Sequence, residues 1–159
     1  MTLDAIDRRL IQLTQTGLPL VAEPYQALAE QLGLSAEQVM QRLAAMHAQG
    51  IIRRIAAVPN HYRLGYRYNG MTVWDVADEQ MDLLGKQVAA LVFVSHCYQR
   101  PRHLPDWPYN LFAMIHAKTE ADAERQIAEI AALLGDAARQ HTVLYSSKIL
   151  KKTGLRIAG

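Results

Sequence analysis

The chain has 159 residues, half of them hydrophobic and a fifth charged, with a formal net charge of +2. That composition suits one domain or two small ones with a real core, and it excludes a disordered chain. The single cysteine, Cys97, excludes an intrachain disulfide and a multi-cysteine metal site, and no apolar run reaches the ~18–20 residues of a membrane span.

Leu3, Ile6, Leu10 and Leu13 fall at three- and four-residue steps, which predicts an opening helix with one apolar stripe, ended by Gly17 and Pro19. A second short helix follows Pro24 and breaks at Gly33. Ser35 is an N-cap for a third, with Gln38 three residues on as in a capping box. The inner face of this third helix is Val39, Leu43 and Met46, and Gly50 stops it. Three short helices with a tight glycine turn form a helix-turn-helix pattern. Ile51–Val58 then reads as a strand, the wing or connector, before a break at Pro59-Asn60.

The second half alternates. Strands are expected at Tyr68–Val76, Ala90–Tyr98, Tyr109–Ala117 and His141–Leu150, with helices at Glu79–Ala89 and Glu120–Leu134. The order βαββαβ is the ferredoxin-like arrangement, an α+β fold with helices on one face of an antiparallel sheet. The expected domains are 1–60, a winged helix-turn-helix with its connecting strand, and 61–159, the ferredoxin-like domain. The connection Gln99–Pro108 is too long for a hairpin turn and invites a functional reading.

A helix-turn-helix joined by a strand to a ferredoxin-like domain resembles the Lrp/AsnC family of bacterial regulators. A narrower resemblance lies in three runs: Val94-Ser95-His96-Cys97-Tyr98-Gln99-Arg100-Pro101-Arg102-His103-Leu104-Pro105-Asp106-Trp107-Pro108-Tyr109-Asn110-Leu111-Phe112-Ala113-Met114-Ile115-His116, Gly50–Ile55 and Gly70–Val76. These look like the signature of the sirohaem decarboxylases, Lrp/AsnC-like proteins of haem biosynthesis, and the stretch Arg100–Asn110 most resembles the denitrification (haem d-type) branch. The resemblance implies removal of CO2 from two acetate side chains of sirohaem. It also implies homologous partner subunits in a hetero- or homo-oligomer, an iron tetrapyrrole that is substrate, and no further required cofactor. The alternatives are an Lrp/AsnC-type regulator with a small effector, or a haem-binding accessory subunit without full activity.

Sirohaem is a flat ring edged with carboxylates, so its site needs aromatic walls and cationic donors at the rim. Arg53, Arg54, Arg100 and Arg102 are candidates for the rim, since the guanidinium fork grips a carboxylate through two hydrogen bonds. Arg53 and Arg54 are neighbours on an expected strand, so at most one readily faces a given pocket. Tyr98, Trp107 and Tyr109 are candidate walls or donors, and Asn110 and His116 complete the substrate-binding set. Loss of CO2 leaves carbanion character that must be protonated. His96, Arg100 and His103 are the candidate catalytic residues: a histidine as acid and an arginine stabilising the reacting group. Each histidine is equally a candidate iron ligand. Cys97 and His96 point to opposite faces of a strand, which reads Cys97 as an inert thiol. The side chains of Arg100–Tyr109 are thus expected to line a cavity shaped for a flat, acidic macrocycle.

Residues 1–50 carry three basic and five acidic side chains, net −2, and the remainder fourteen and ten, net +4. The expected recognition helix, Ser35–Gln49, has Arg42, no lysine and several alanines. DNA binding is therefore not expected, because phosphate neutralisation supplies most non-specific affinity. Lys148, Lys151, Lys152 and Arg156 read as a basic tail. The N-terminus has no basic stretch leading into an apolar core, so the cytoplasm is the expected location.

Overall fold

The computed structural model describes residues 3–148, 150, 156 and 157; Lys151 and Lys152 of the expected basic tail lie outside the described residues. The chain divides into two compact units, residues 1–58 with 151–159, and residues 59–150.

In the first unit, α1 (Ala5–Thr14), α2 (Pro24–Leu32) and α3 (Ala36–Ala48) bury Leu10, Leu28, Ala29, Val39, Leu43 and Met46. Their ends follow from local chemistry. Asp4 caps α1 by accepting from the Asp7 amide at 2.7 Å, with Asp7 returning the bond. Pro24 opens α2, and Gly33 closes it in the left-handed region at φ 67°. Ser35 and Gln38 form the expected capping box of α3. The expected strand Ile51–Val58 does not form. These residues are without sheet pairing, and Ile51, Ile55 and Val58 are exposed. Their β-branched composition favours extension, but a strand needs a neighbour to accept its hydrogen bonds, and the described sheet offers it none.

The second unit is a four-stranded antiparallel sheet in the order β2-β3-β1-β4. Its elements are β1 (Tyr68–Val76), α4 (Met81–Ala89), β2 (Val94–Gln99), β3 (Leu111–Ala117), α5 (Glu120–Leu134) and β4 (Ala138–Tyr145). This is the ferredoxin-like topology. β2 and β3 start later than the sequence suggests, at Val94 and Leu111, and β4 starts earlier, at Ala138. Alternation sorts the side chains. Trp74, Val76, Leu111, Ala113 and Ile115 pack with Val88, Ala123, Ile130 and Leu134 of the helices. Asn69, Met71, Val73 and Asp75 of β1, Phe112, Met114 and His116 of β3, and His96 and Tyr98 of β2 take the opposite face, which no helix of this unit covers. Among the described residues no helix is long and apolar enough to cross a membrane.

Candidate functional site

The connection between β2 and β3 is held onto the open face by Arg102. Its guanidinium donates to Asp75 Oδ1 at 2.8 and 3.0 Å, to Asp78 Oδ1 at 2.6 Å, and to the carbonyls of Val76 and Pro108 at 2.6 and 2.9 Å. Asp75 is 6% exposed, so its carboxylate has given up most of its water and depends on Arg102, with Arg139 a more distant second cation at 3.8 Å. Hydrogen bonding from Arg102 holds the Asp78 carboxyl below the usual aspartate range, and Asp78 in turn raises the Arg102 guanidinium. Asn110 works alongside. Its Oδ1 accepts from the Val76 amide at 2.8 Å, and its Nδ2 donates to the Val76 carbonyl at 2.8 Å and to Asp78 at 3.1 Å. Arg102 and Asn110, expected on the substrate, are committed to the loop itself.

So anchored, the loop lays an aromatic surface over one end of the open face. Trp107 stacks near Phe112, with ring centroids 6.4 Å apart and planes at 26°, and meets Tyr109 edge-on at 5.1 Å. The Arg100 guanidinium lies over the Phe112 ring at 5.1 Å and over Tyr98 at 5.6 Å. Tyr98 runs nearly parallel to His96, 6.1 Å away, and its hydroxyl is 3.3 Å from His96 Nδ1. Arg100 therefore presents an exposed cation above a continuous aromatic wall. The arrangement is a wall with a cleft at its foot, of about 370 Å³ and lined by Asp78, Gln99, Arg100, Pro101, Arg102 and Asn110; of the stretch Arg100–Tyr109, expected to line a cavity throughout, Arg100, Pro101 and Arg102 line this cleft. Of the wall's rings Tyr98 is exposed, Trp107 and Tyr109 are half-buried and Phe112 is buried beneath them.

His103 is exposed near the loop's tip, where it bridges Trp107 through two backbone hydrogen bonds of 2.8 Å; the Leu104–Pro105 peptide within that tip is cis. His116 is half-buried on β3, with Nδ1 2.6 Å from Asn69 Oδ1 and Nε2 2.7 Å from Ser95 Oγ. Its ring centroid lies 5.5 Å from that of His61. Cys97 points to the helix face, its Sγ 3.8 Å from the Gly85 carbonyl, and burial pushes its thiol up. Arg53 and Arg54 are exposed in the unpaired segment of the first unit. The second unit thus assembles His96, Tyr98, Arg100, Trp107, Tyr109 and His116 on one sheet face and its loop. Ser95 and Asn69 join that set without having been picked out by the sequence. The available signal was Asn69, an amide in a strand interior, where asparagine is depleted unless it bonds something. Among the described residues no three His, Cys, Asp or Glu side chains are grouped to hold a metal ion.

Two family models match the chain: an AsnC-like ligand binding domain over residues 63–151, and a sirohaem decarboxylase NirDL-like HTH domain over residues 7–53. The chain is 61% identical over 151 residues to a sirohaem decarboxylase NirH subunit of Pseudomonas aeruginosa, covering 95% of this chain and 88% of that one. It is 56% identical over 156 residues to the NirH subunit of Stutzerimonas stutzeri, covering 98% and 92%. Among solved structures, the sirohaem decarboxylase NirDL in complex with an iron-uroporphyrin III analogue superposes with a TM-score of 0.65 at 32% identity. That match covers 99% of this chain and 47% of NirDL.

Proposed function

The chain belongs to the sirohaem decarboxylase family, and on that premise we propose that it is a subunit of an enzyme removing CO2 from two acetate side chains of sirohaem to give didecarboxysirohaem. It is a carbon–carbon lyase of haem biosynthesis. The observation that carries this reading is identity of 56–61% over nearly the whole chain to NirH subunits. The geometry supplies the chemistry. The macrocycle lies against Trp107, Tyr109 and Tyr98, and Arg100 meets a rim carboxylate. A ring-sized ligand buries most of its surface when bound. A single open wall buries only one side, so the homologous partner subunit supplies the other.

His96 is the proposed acid. It is exposed at the wall's edge beside the Tyr98 hydroxyl, and its proton goes to the carbon that has lost its carboxyl. His103, on the loop tip, holds the carboxylate of the second acetate. Arg100 stabilises negative charge as each CO2 leaves. Arg53 or Arg54 adds a rim contact in the assembled enzyme. The conjugated ring is the electron sink, and no cofactor beyond the substrate is required. The enzyme works in the cytoplasm.

Anaerobic incubation of sirohaem with the purified protein, alone and with each co-expressed partner, tests this by mass spectrometry. A product lighter by two CO2 is expected in at least one combination. An unchanged mass in all of them overturns the enzyme reading.

A further inference from the structure

Asn69, His116 and Ser95 stand on three adjacent strands, β1, β3 and β2, and are joined side chain to side chain. Asn69 is buried directly opposite His116 in the β1–β3 register. Its amide is oriented by a neighbour: Nδ2 donates to the Tyr66 carbonyl at 2.9 Å, which turns Oδ1 to His116. An amide oxygen has no hydrogen to give, so the ring nitrogen 2.6 Å from it, Nδ1, carries one. Nε2 of the neutral ring then holds the lone pair and accepts from the Ser95 hydroxyl at 2.7 Å.

Ser95 reaches this place through an irregularity in β2. The register shifts between Val94 and His96, which pair with Ile115 and Met114, so Ser95 is the extra residue of a bulge. Strict alternation sends Ser95 and His96 to opposite faces. The bulge instead lets Ser95 meet His116 while His96 remains opposite Met114 on the open face. Ser95 itself is exposed.

We infer that Ser95 is a further catalytic residue that delivers to the second acetate carbon, the one His96 does not protonate, a proton supplied by His116, and that Asn69 is the positioning residue that fixes the His116 tautomer; this rests on the decarboxylase reading. With His116 protonated, Nε2–H donates to Ser95 Oγ and the hydroxyl hydrogen turns outward. The bond to the carboxyl breaks, CO2 departs, and the electron pair stays on the side-chain carbon, delocalised into the ring. The Ser95 hydrogen bonds to that carbon, and the His116 Nε2 proton passes to Ser95 Oγ. The serine is regenerated and the imidazole is left neutral, to take its next proton from water.

Two measurements on the protein assembled with its partner subunits test this: 15N spectra of the histidine side chains, and steady-state decarboxylation of sirohaem. The wild type is expected to show His116 as Nδ1–H, and Asn69→Leu to lose that tautomer. Ser95→Ala is expected to lower kcat by about 100-fold or more with KM unchanged. Ser95→Thr, which keeps the hydroxyl, is expected to recover most of the rate. Ser95 is exposed, so an unaltered melting curve separates a lost proton path from a lost fold. An Nε2–H tautomer in the wild type, or full turnover by Ser95→Ala, overturns the inference. A wild-type assembly with the Nδ1–H tautomer that leaves sirohaem unchanged overturns the decarboxylase reading, and the proton path falls with it.

Discussion

Arg100 and Arg102 are two residues apart and carry the same guanidinium, yet they do opposite work. Arg102 is 16% exposed at its side chain and spends its donors on Asp75, Asp78 and two carbonyls. Arg100 stands exposed over Phe112 and Tyr98 and, among the described residues, is bonded to the protein through ring faces and its own backbone. Removing Arg102 leaves the buried Asp75 carboxylate only the longer contact to Arg139, 3.8 Å away, and such a loss costs about 3 kcal/mol. Removing Arg100 leaves nothing buried uncompensated. The expected outcome is a clean separation. Arg102→Met lowers the urea midpoint at neutral pH by the equivalent of that energy. Arg100→Ala unfolds like the wild type but binds sirohaem more weakly by about 1.5–3 kcal/mol, the worth of a charged hydrogen bond. Urea titrations and absorbance titrations with sirohaem check the two halves, and equal unfolding midpoints for both variants contradict the division of labour. The sequence places both arginines in the loop but cannot divide them. What divides them is Asp75, 27 residues from Arg102 and about 90 Å away along an extended chain, brought under the loop only by the folding of the sheet.

At the scale of elements, what is local is legible and what is paired is not. The caps of α1 and α3, the glycine stop of α2 and the full span of α5 follow from residues within a turn of one another. The segment after α3 has a strand's composition and no strand, because pairing is decided by a neighbour. The bulge at Ser95 is equally invisible, since an inserted residue leaves no trace in a run such as Val94–Gln99. Gly70 is an intermediate case. Within β1 it has no turn to make, but a Cβ there would lie 2.8 Å from Val143 Cγ1 and 3.2 Å from the Tyr145 ring, so β4 packs against the space a side chain would need. Gly70→Ala is expected to push β4 outward and destabilise the second unit by about 1–3 kcal/mol. Denaturant unfolding checks this, and an unchanged midpoint would mean that Val143 and Tyr145 simply swing aside.

For the whole molecule, the helix-turn-helix unit carries little of the chain's positive charge. The basic surplus sits after residue 50, and the helix placed to read a groove contributes one arginine. That arginine is occupied: Arg42 Nη1 lies 2.7 Å from both Asp4 Oδ2 and Asp7 Oδ1, so it ties α3 to the start of α1. Hydrogen bonding to the Asp7 amide and to Arg42 holds the Asp4 carboxyl below its usual range, which keeps the pair ionised at neutral pH. A phosphate contact from Arg42 would have to break two ion pairs, one of them to a buried carboxylate, for a gain of similar size. Affinity for duplex DNA rises with the number of phosphates neutralised and falls with salt accordingly. The first unit should therefore show no measurable binding to duplex DNA at physiological salt and almost no salt slope at low salt. Fluorescence anisotropy with labelled duplexes, including the promoter of its own gene, measures both. A steep salt slope, or sequence-specific binding in the nanomolar range, would mean that the helix-turn-helix still reads DNA and that the same chain couples tetrapyrrole chemistry to transcription.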